Sequence, residues 1–280
     1  MSSPSKLYND YGEYNIWFNQ LNLPSPSIEH SWRRTKLLLE KEAAREIQRL
    51  IKNKKKQIKV LDAGCGNGAV LIRLALKFKD DKYVSFRGID VSKSFVDYSN
   101  RAAKHKNVAE STRFELFDIE KEKIEGKYDV ILSSEVLEHL ENPEKFLRKM
   151  AKPLNKGGVL LISTPNSNNW LKYPFIWAKS LVARINNKEW QDQLISKEEK
   201  YKLSEQEQHI NVLNLKELRN ISKAAGLNVY SNPRSTTFFG GKFLDDNLLL
   251  LGLSIALDSI LNLLPLSQVG WDLVVFCRKD

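Results

Sequence analysis

The chain has 280 residues, of which 42% are hydrophobic and 28% charged, a globular composition that excludes disordered and fibrous proteins. The 44 basic and 34 acidic residues give a net charge of +10, which favours anionic partners such as nucleic acid, acidic lipid or a phosphorylated substrate. Two distant cysteines, Cys65 and Cys277, exclude a disulfide framework and a cysteine-rich metal site, and they favour a reducing cytoplasm. The polar start, MSSPSKLYNDYGEYN, lacks the apolar core of a signal peptide.

The chain after an irregular start alternates between helical and strand patterns. Apolar spacing predicts a first helix over 28–52, which ends at a lysine run. Further helices are predicted over 69–78, 92–104, 143–150 and 215–225, and Ser92 is the expected N-cap of the second of these. Strands are predicted over 58–63, 84–89, 112–117, 128–132, 159–163, 227–230 and 271–277. This alternation indicates an α/β fold with a mostly parallel sheet that carries helices on both faces.

The alternation of helices and strands is interrupted twice, and both interruptions are interpreted as insertions. We expect a single domain over 1–280, with a helical extension at 1–57, a cap insertion at 167–207 and an apolar helical insertion at 235–268. The last of these contains LLLLGLSIALDSILNLLPL at 248–266, which approaches the roughly 20 residues of a membrane span. Because Asp258 would be costly in lipid, the pattern favours a buried or membrane-surface helix.

The strongest local signal is VLDAGCGNG at 60–68, where a strand runs into a glycine turn and then a helix. Glycines allow a ligand to approach the backbone closely, and similar turns bind dinucleotides. Here an acid, Asp62, precedes the first glycine. It would repel a pyrophosphate and would instead suit a ligand that carries an ammonium group.

Two more acids close the following strands. Asp90 ends the next strand, where a carboxylate can accept both ribose hydroxyls. Asp118, followed by the apolar Ile119, ends the third strand and could receive an adenine amino group. The ordered set predicts a nucleoside site.

These motifs resemble those of the class I S-adenosylmethionine-dependent methyltransferases. LDAGCGNG, GIDVS and FDIE are similar to that family's first, second and adenine-binding motifs, and the run from KYDVILSSEVLEHL to STPN resembles its fourth- and fifth-strand region. The resemblance implies a Rossmann-like sheet of seven strands with a reversed last strand. It also implies that S-adenosylmethionine is bound by Asp62, Gly64, Cys65, Gly66, Gly68, Asp90, Val91, Asp118, Ile119 and Ser134.

The motifs say less about the molecule that accepts the methyl group. The Pro-Pro signature of nucleic-acid amino-methyltransferases and the Pro-Cys nucleophile of cytosine methyltransferases are absent. The run EVLEH resembles ubiquinone-pathway O-methyltransferases and small-RNA 2′-O-methyltransferases. That resemblance implies a metal site, for Mg²⁺ or another divalent ion, formed by Glu135, Glu138, His139 and His209. Without a metal, His139 would act as general base with Glu138 as the second catalytic residue, or both side chains would only brace the loop.

The insertions are expected to select the acceptor. Residues 169–190 mix tryptophans with basic residues, and 238–266 are apolar, so together they could form a lid for a quinone precursor, a lipid or a lipid-linked glycan at the membrane surface. Both could also simply pack together as a cap. O-methylation of such an acceptor is the favoured hypothesis. Ribose 2′-O-methylation of RNA and a nucleoside-binding module without activity remain alternatives.

Overall fold

The computed structural model of the protein describes residues 26–53, 57–169, 209–233, 235–236, 244, 246–261 and 270–280. Within these ranges the helices are α1 Pro26–Lys52, α2 Ala69–Lys77, α3 Lys93–His105, α4 Pro143–Ala151, α5 Leu215–Ala224 and α6 Leu248–Leu261, with one 3-10 turn at Leu137–His139. The strands are β1 Ile58–Ala63, β2 Val84–Asp90, β3 Thr112–Leu116, β4 Tyr128–Ser134, β5 Leu154–Pro165, β6 Leu227–Ser231 and β7 Asp272–Lys279. The predicted cap at 167–207 lies almost entirely outside the described residues.

The strands form one seven-stranded sheet in the order β3-β2-β1-β4-β5-β7-β6. The first five pair in parallel, and β7 runs antiparallel to both β5 and β6. The predicted mostly parallel sheet with a reversed last strand is therefore confirmed. The strand order reverses between β1 and β4, which in open α/β sheets is where ligands bind, beyond the carboxyl ends of the strands.

Strands β4 and β5 are longer than predicted. Ser134 pairs with Ser163, and Pro165 pairs with Asp272, so the sheet continues into residues whose polarity predicts a turn. Their backbone groups have partners on neighbouring strands, which outweighs the low strand preference of serine and proline. The extension carries the polar ends of β4, β5 and β7 to one edge.

Helix α1 corresponds to the first helix predicted from the sequence, and it packs against one face of the sheet. Leu39, Ala43 and Ile47 are fully buried in a core that also contains side chains of α2 and α3. On the other face, α4 and α5 cover the sheet. The predicted cap of α3 is confirmed, because the Ser92 hydroxyl accepts a hydrogen bond from the Phe95 amide at 3.3 Å.

Candidate active site

The glycine turn after β1 is held from two sides. Gly64, Gly66 and Gly68 all adopt positive φ, at 83°, 51° and 70°, a conformation that glycine adopts without strain. A Cβ at Gly64 would lie 2.3 Å from Cγ2 of Val136, and one at Gly68 would lie 2.6 Å from the Phe114 ring. Among the described residues nothing lies within 4 Å of the corresponding position at Gly66, which leaves room for a ligand beside the turn.

Asp90 ties the end of β2 to this turn. One carboxylate oxygen accepts the Gly66 amide at 2.8 Å, and the other accepts the Ser92 amide at 2.9 Å. Burial raises the pKa of Asp90, and these backbone hydrogen bonds oppose the shift. The predicted ribose-binding acid therefore stands beside the open side of the turn.

The buried carboxyl group of Asp62, at the end of β1, and the half-buried amino group of Lys36 interact electrostatically. Burial raises the pKa of Asp62 to about 8 and lowers that of Lys36 to about 8, while the charge of each opposes the shift of the other. Sequence reasoning did not single out Lys36. Its spacing from Leu39 and Ala43 places it on the buried face of α1, and that signal was available in the sequence.

A pH dependence follows from the raised pKa of Asp62. Between pH 4 and pH 8 the folded state holds a proton on Asp62 that the unfolded state has released, so this group makes the fold less stable as pH rises. We expect Asp62→Asn to remove part of the decline, by up to about 1 kcal/mol per pH unit. Chemical unfolding at pH 5 and pH 8 measures this, and parallel declines in both proteins would contradict it.

The ends of β4, β5 and β7 bring three carboxyl groups together. The Ser163 hydroxyl donates to Glu135 at 2.7 Å, and the Thr164 hydroxyl donates to Glu138 at 3.0 Å. Burial raises the pKa of Glu135 well above its usual range, and the negative charges nearby add to the shift.

Helix α1 also reaches this group. The Thr35 hydroxyl donates to Asp272 at 2.7 Å, and burial raises the pKa of Asp272 to about 6. Neither Thr35 nor Asp272 was predicted as part of the site, because they are separated by more than 200 residues and only the tertiary fold joins them.

Three of the four predicted metal ligands meet in one cluster. One possible ligand atom from each of Glu138, His139 and His209 lies within 4.8 Å of the others. The two imidazole rings stand edge to face, with centroids 5.2 Å apart. In the described part of the chain this cluster does not include Glu135, whose carboxylate accepts the Ser163 hydroxyl at 2.7 Å and also interacts with Glu138.

His209 is positioned by the backbone of the 3-10 turn. The amides of Ile210 and Asn211 both donate to the Glu138 carbonyl, at 2.8 and 3.1 Å. The Asn211 side chain donates to the Leu140 carbonyl. The segment that precedes α5 is thereby fastened beside Glu138 and His139, across a sequence separation that no local pattern could predict.

The remaining predicted cofactor residues are found around the same strand ends. Cys65 is a buried free thiol, Val91 and Ile119 are half-buried, and the Ser134 hydroxyl lies 2.9 Å from that of Ser163. The carboxylate of Asp118 accepts from the backbone of Glu120 and from the Lys121 ammonium, and its contact with the adenine amino group stays a prediction.

The fold and the glycine turn, with its acid before the first glycine and a second acid at the end of β2, define a class I S-adenosylmethionine-dependent methyltransferase. The chain belongs to the family described as "Methyltransferase domain", whose sequence profile matches residues 32–232.

Curated relatives match a shorter stretch. (S)-Coclaurine N-methyltransferase of Thalictrum flavum subsp. glaucum is 34% identical over 103 residues, which are 37% of this chain and 27% of that protein. Ubiquinone biosynthesis O-methyltransferase of Pelagibacter ubique is 32% identical over 114 residues, 40% of this chain and 43% of that protein. The chain therefore matches less than half the length of these relatives.

Solved structures resemble it over its whole length. Magnesium protoporphyrin IX methyltransferase from Synechocystis PCC 6803 with bound S-adenosylhomocysteine has a TM-score of 0.59, with 14% identity, 99% of this chain covered and 98% of the other. Geranyl diphosphate C-methyltransferase from Streptomyces coelicolor A3(2) gives 0.51 with 15% identity, covering 85% and 77%. At such identities these likenesses show the fold.

Proposed function

We propose that the protein transfers the methyl group of S-adenosylmethionine to a hydroxyl of a hydrophobic or lipid-linked small molecule. The proposal rests on one observation. The carboxylate of Glu138 and the imidazoles of His139 and His209 lie close together, just beyond the end of β4, the strand next to the glycine turn. Val136 packs against Gly64, and Glu138 and His139 come directly after it. Methyl acceptors that are amines need no base, whereas a hydroxyl must lose its proton.

The cofactor fits the turn in both charge and space. The ammonium and carboxylate of the methionine moiety would face the opposite charges of Asp62 and Lys36. The ribose hydroxyls would donate to the remaining lone pairs of Asp90, which already accepts the Gly66 and Ser92 amides. Ile119, packed on the core beside Val136, would offer an apolar wall to the adenine.

The reaction needs little besides alignment and one proton transfer. Methyl transfer is an in-line displacement at the sulfonium, so holding the acceptor oxygen opposite the leaving sulfur supplies much of the acceleration. Without a metal, His139 would take the acceptor's proton; Glu138 lies beside it, with 3.8 Å between its Oε1 atom and Nε2 of His139. Thr164 holds the other oxygen of Glu138 in place.

The side chains of Glu138, His139 and His209 would also suit a divalent cation. Two imidazole nitrogens and one carboxylate oxygen are a common donor set for borderline divalent metals, and Glu138, His139 and His209 offer them within 4.8 Å. A bound ion such as Mg²⁺ would lower the pKa of the acceptor hydroxyl. We propose these three residues as its ligands.

A chelator tests whether a metal ion bound at this cluster supports turnover. We expect excess chelator to lower turnover at least about tenfold and added Mg²⁺ or Mn²⁺ to restore it. Calorimetric titration with Mn²⁺ should show one site that His209→Ala abolishes and His105→Ala, a histidine in the last turn of α3, leaves intact. Unchanged turnover together with no Mn²⁺ binding would leave His139 as a base acting without metal.

The acceptor class rests on the apolar insertion and the basic charge. We propose that the acceptor is taken at a membrane surface facing a reducing compartment such as the cytoplasm. Cys65 and Cys277 are both free thiols, and no helix among the described residues is long and apolar enough to cross a bilayer. RNA is the competing acceptor, because the net charge of +10 favours it equally.

Methyl-labelled cofactor distinguishes the acceptors. The protein is incubated with labelled S-adenosylmethionine and three fractions of a cell extract: lipids, RNA and water-soluble small molecules. We expect the label in the lipid fraction. Label in RNA would replace the proposal by ribose methylation, and no label in any fraction, with the cofactor bound, would indicate a binding module.

A further inference from the structure

Helix α6 has an unusual distribution of side chains. It spans Leu248–Leu261 and is buried at Leu251 and Asp258, seven residues apart on one face. The opposite face carries Leu249, Leu253 and Leu257, which are 77%, 58% and 55% exposed. Ile260 continues it at 60% exposed. An apolar strip thus runs along the outward side of the helix.

The polar groups of this helix are directed away from the strip or satisfied within the helix. Asp258 is its only charged residue, yet it is turned inward, with a carboxylate oxygen 4.0 Å from Nε2 of His30 on α1. The exposed Ser259 hydroxyl donates to the Ile255 carbonyl at 2.8 Å. A helix that faces water normally shows the reverse arrangement, with charges outside and leucines inside.

The dimensions favour a helix that lies on a bilayer rather than one that crosses it. Fourteen residues at about 1.5 Å each span about 21 Å, and the hydrocarbon core of a bilayer is about 30 Å thick. An apolar helix face of this kind inserts a short distance into the boundary between headgroups and acyl chains.

Charge decides between a membrane and a second copy of the chain. Each copy carries +10, so two copies repel each other, whereas the same charge is attracted to anionic headgroups. Arg33 is exposed on α1 one turn from His30, which the Asp258 contact places next to α6. One acidic residue, Asp246, is exposed just before α6, where the helix dipole favours it.

We propose that the outward face of α6 docks the protein on the surface of an anionic lipid bilayer, with the basic start of α1 beside it. The burial of Leu251 and Asp258 on one side of α6 sets the rotation of the helix, so that the leucine strip faces the lipid. The inference names the surface from which the proposed acceptor is taken and rests on the proposed function for that purpose. The docking itself can be tested without turnover.

Vesicle flotation of the full chain tests the docking. We expect the protein to float with vesicles of phosphatidylcholine and phosphatidylglycerol, less with phosphatidylcholine alone, and less again at high salt. The double variant Leu253→Glu/Leu257→Glu should bind at least about tenfold more weakly. The control Leu76→Glu/Tyr83→Glu adds the same two charges at apolar positions outside α6 that are 38% and 60% exposed, and it should float like the parent protein.

Two further measurements, calorimetry and size-exclusion chromatography, make each outcome of the flotation decisive. Calorimetry with S-adenosylhomocysteine should give equal affinity for the parent protein and all variants, which shows that the fold is intact and separates docking from the proposed function. Equal flotation of the double variant, or no flotation at all, would overturn the docking. Size-exclusion chromatography that shows a dimer lost only in the double variant, without flotation, would assign the face to a second copy.

Discussion

Gly64→Ala is expected to destabilise the fold by about 3 kcal/mol and to weaken cofactor binding more than tenfold. The substitution combines two costs, the positive φ of 83° and a new Cβ placed 2.3 Å from Val136. The first costs about 1–2 kcal/mol, and overpacking a tight contact costs about 1–3 kcal/mol more. Val136 cannot move freely, because Glu135 before it is itself held at positive φ.

Gly226→Ala is the matched control for backbone strain. Gly226 has a φ of 76°, close to that of Gly64, but nothing lies within 4 Å of its Cβ position. It should lose about 1 kcal/mol and keep full affinity for S-adenosylhomocysteine. Urea unfolding and calorimetry measure both quantities, and equal losses in the two variants would show that the contact between the glycine turn and Val136 has no importance of its own.

Asp90→Ala should weaken the binding of S-adenosylhomocysteine about 100-fold. The variant loses the proposed ribose acceptor and also frees the amides of Gly66 and Ser92, which the carboxylate now fixes at 2.8 and 2.9 Å. Hydrogen bonds to a charged group contribute about 1.5–3 kcal/mol each, and 2.7 kcal/mol corresponds to about 100-fold in affinity.

The control for this loss lies at the other end of β2. Asp81 accepts the Tyr83 amide at 3.1 Å in an exposed turn, so Asp81→Ala removes a similar aspartate contact far from the glycine turn. Its calorimetric affinity should match that of the parent protein. If Asp90→Ala also binds normally, the ribose lies elsewhere and the assignment of the second motif is wrong.

The sequence predicted the framework of this molecule well for physical reasons. Alternating apolar runs and glycine punctuation report the strands and helices directly, and Ser92 was correctly predicted as a helix cap. Acids that end successive parallel strands necessarily meet at one edge of the sheet, which is why Asp62 and Asp90 could be assigned to one site before the fold was known.

The rest of the site depends on contacts that no local pattern contains. Thr35 donates to Asp272 only because α1 packs on the sheet and β7 runs antiparallel to β5, which brings the start of β7 to the same edge of the sheet. Glu135 was grouped with the metal ligands by resemblance, and only the fold shows that its carboxylate accepts the Ser163 hydroxyl across 28 residues of sequence. The leucines of α6 were expected to be buried or to lie at a membrane surface, and only the structure shows that several of them are exposed.

The chemical position of the transferred methyl group tests the central proposal most directly. S-Adenosylmethionine with a carbon-13 methyl is incubated with the protein and a lipid extract, and the product is examined by NMR and mass spectrometry. The cluster of Glu138, His139 and His209 predicts a methyl carbon with the chemical shift of an O–CH₃ group on an apolar product. A methyl on nitrogen or carbon would contradict the assignment of that cluster to deprotonation of a hydroxyl acceptor.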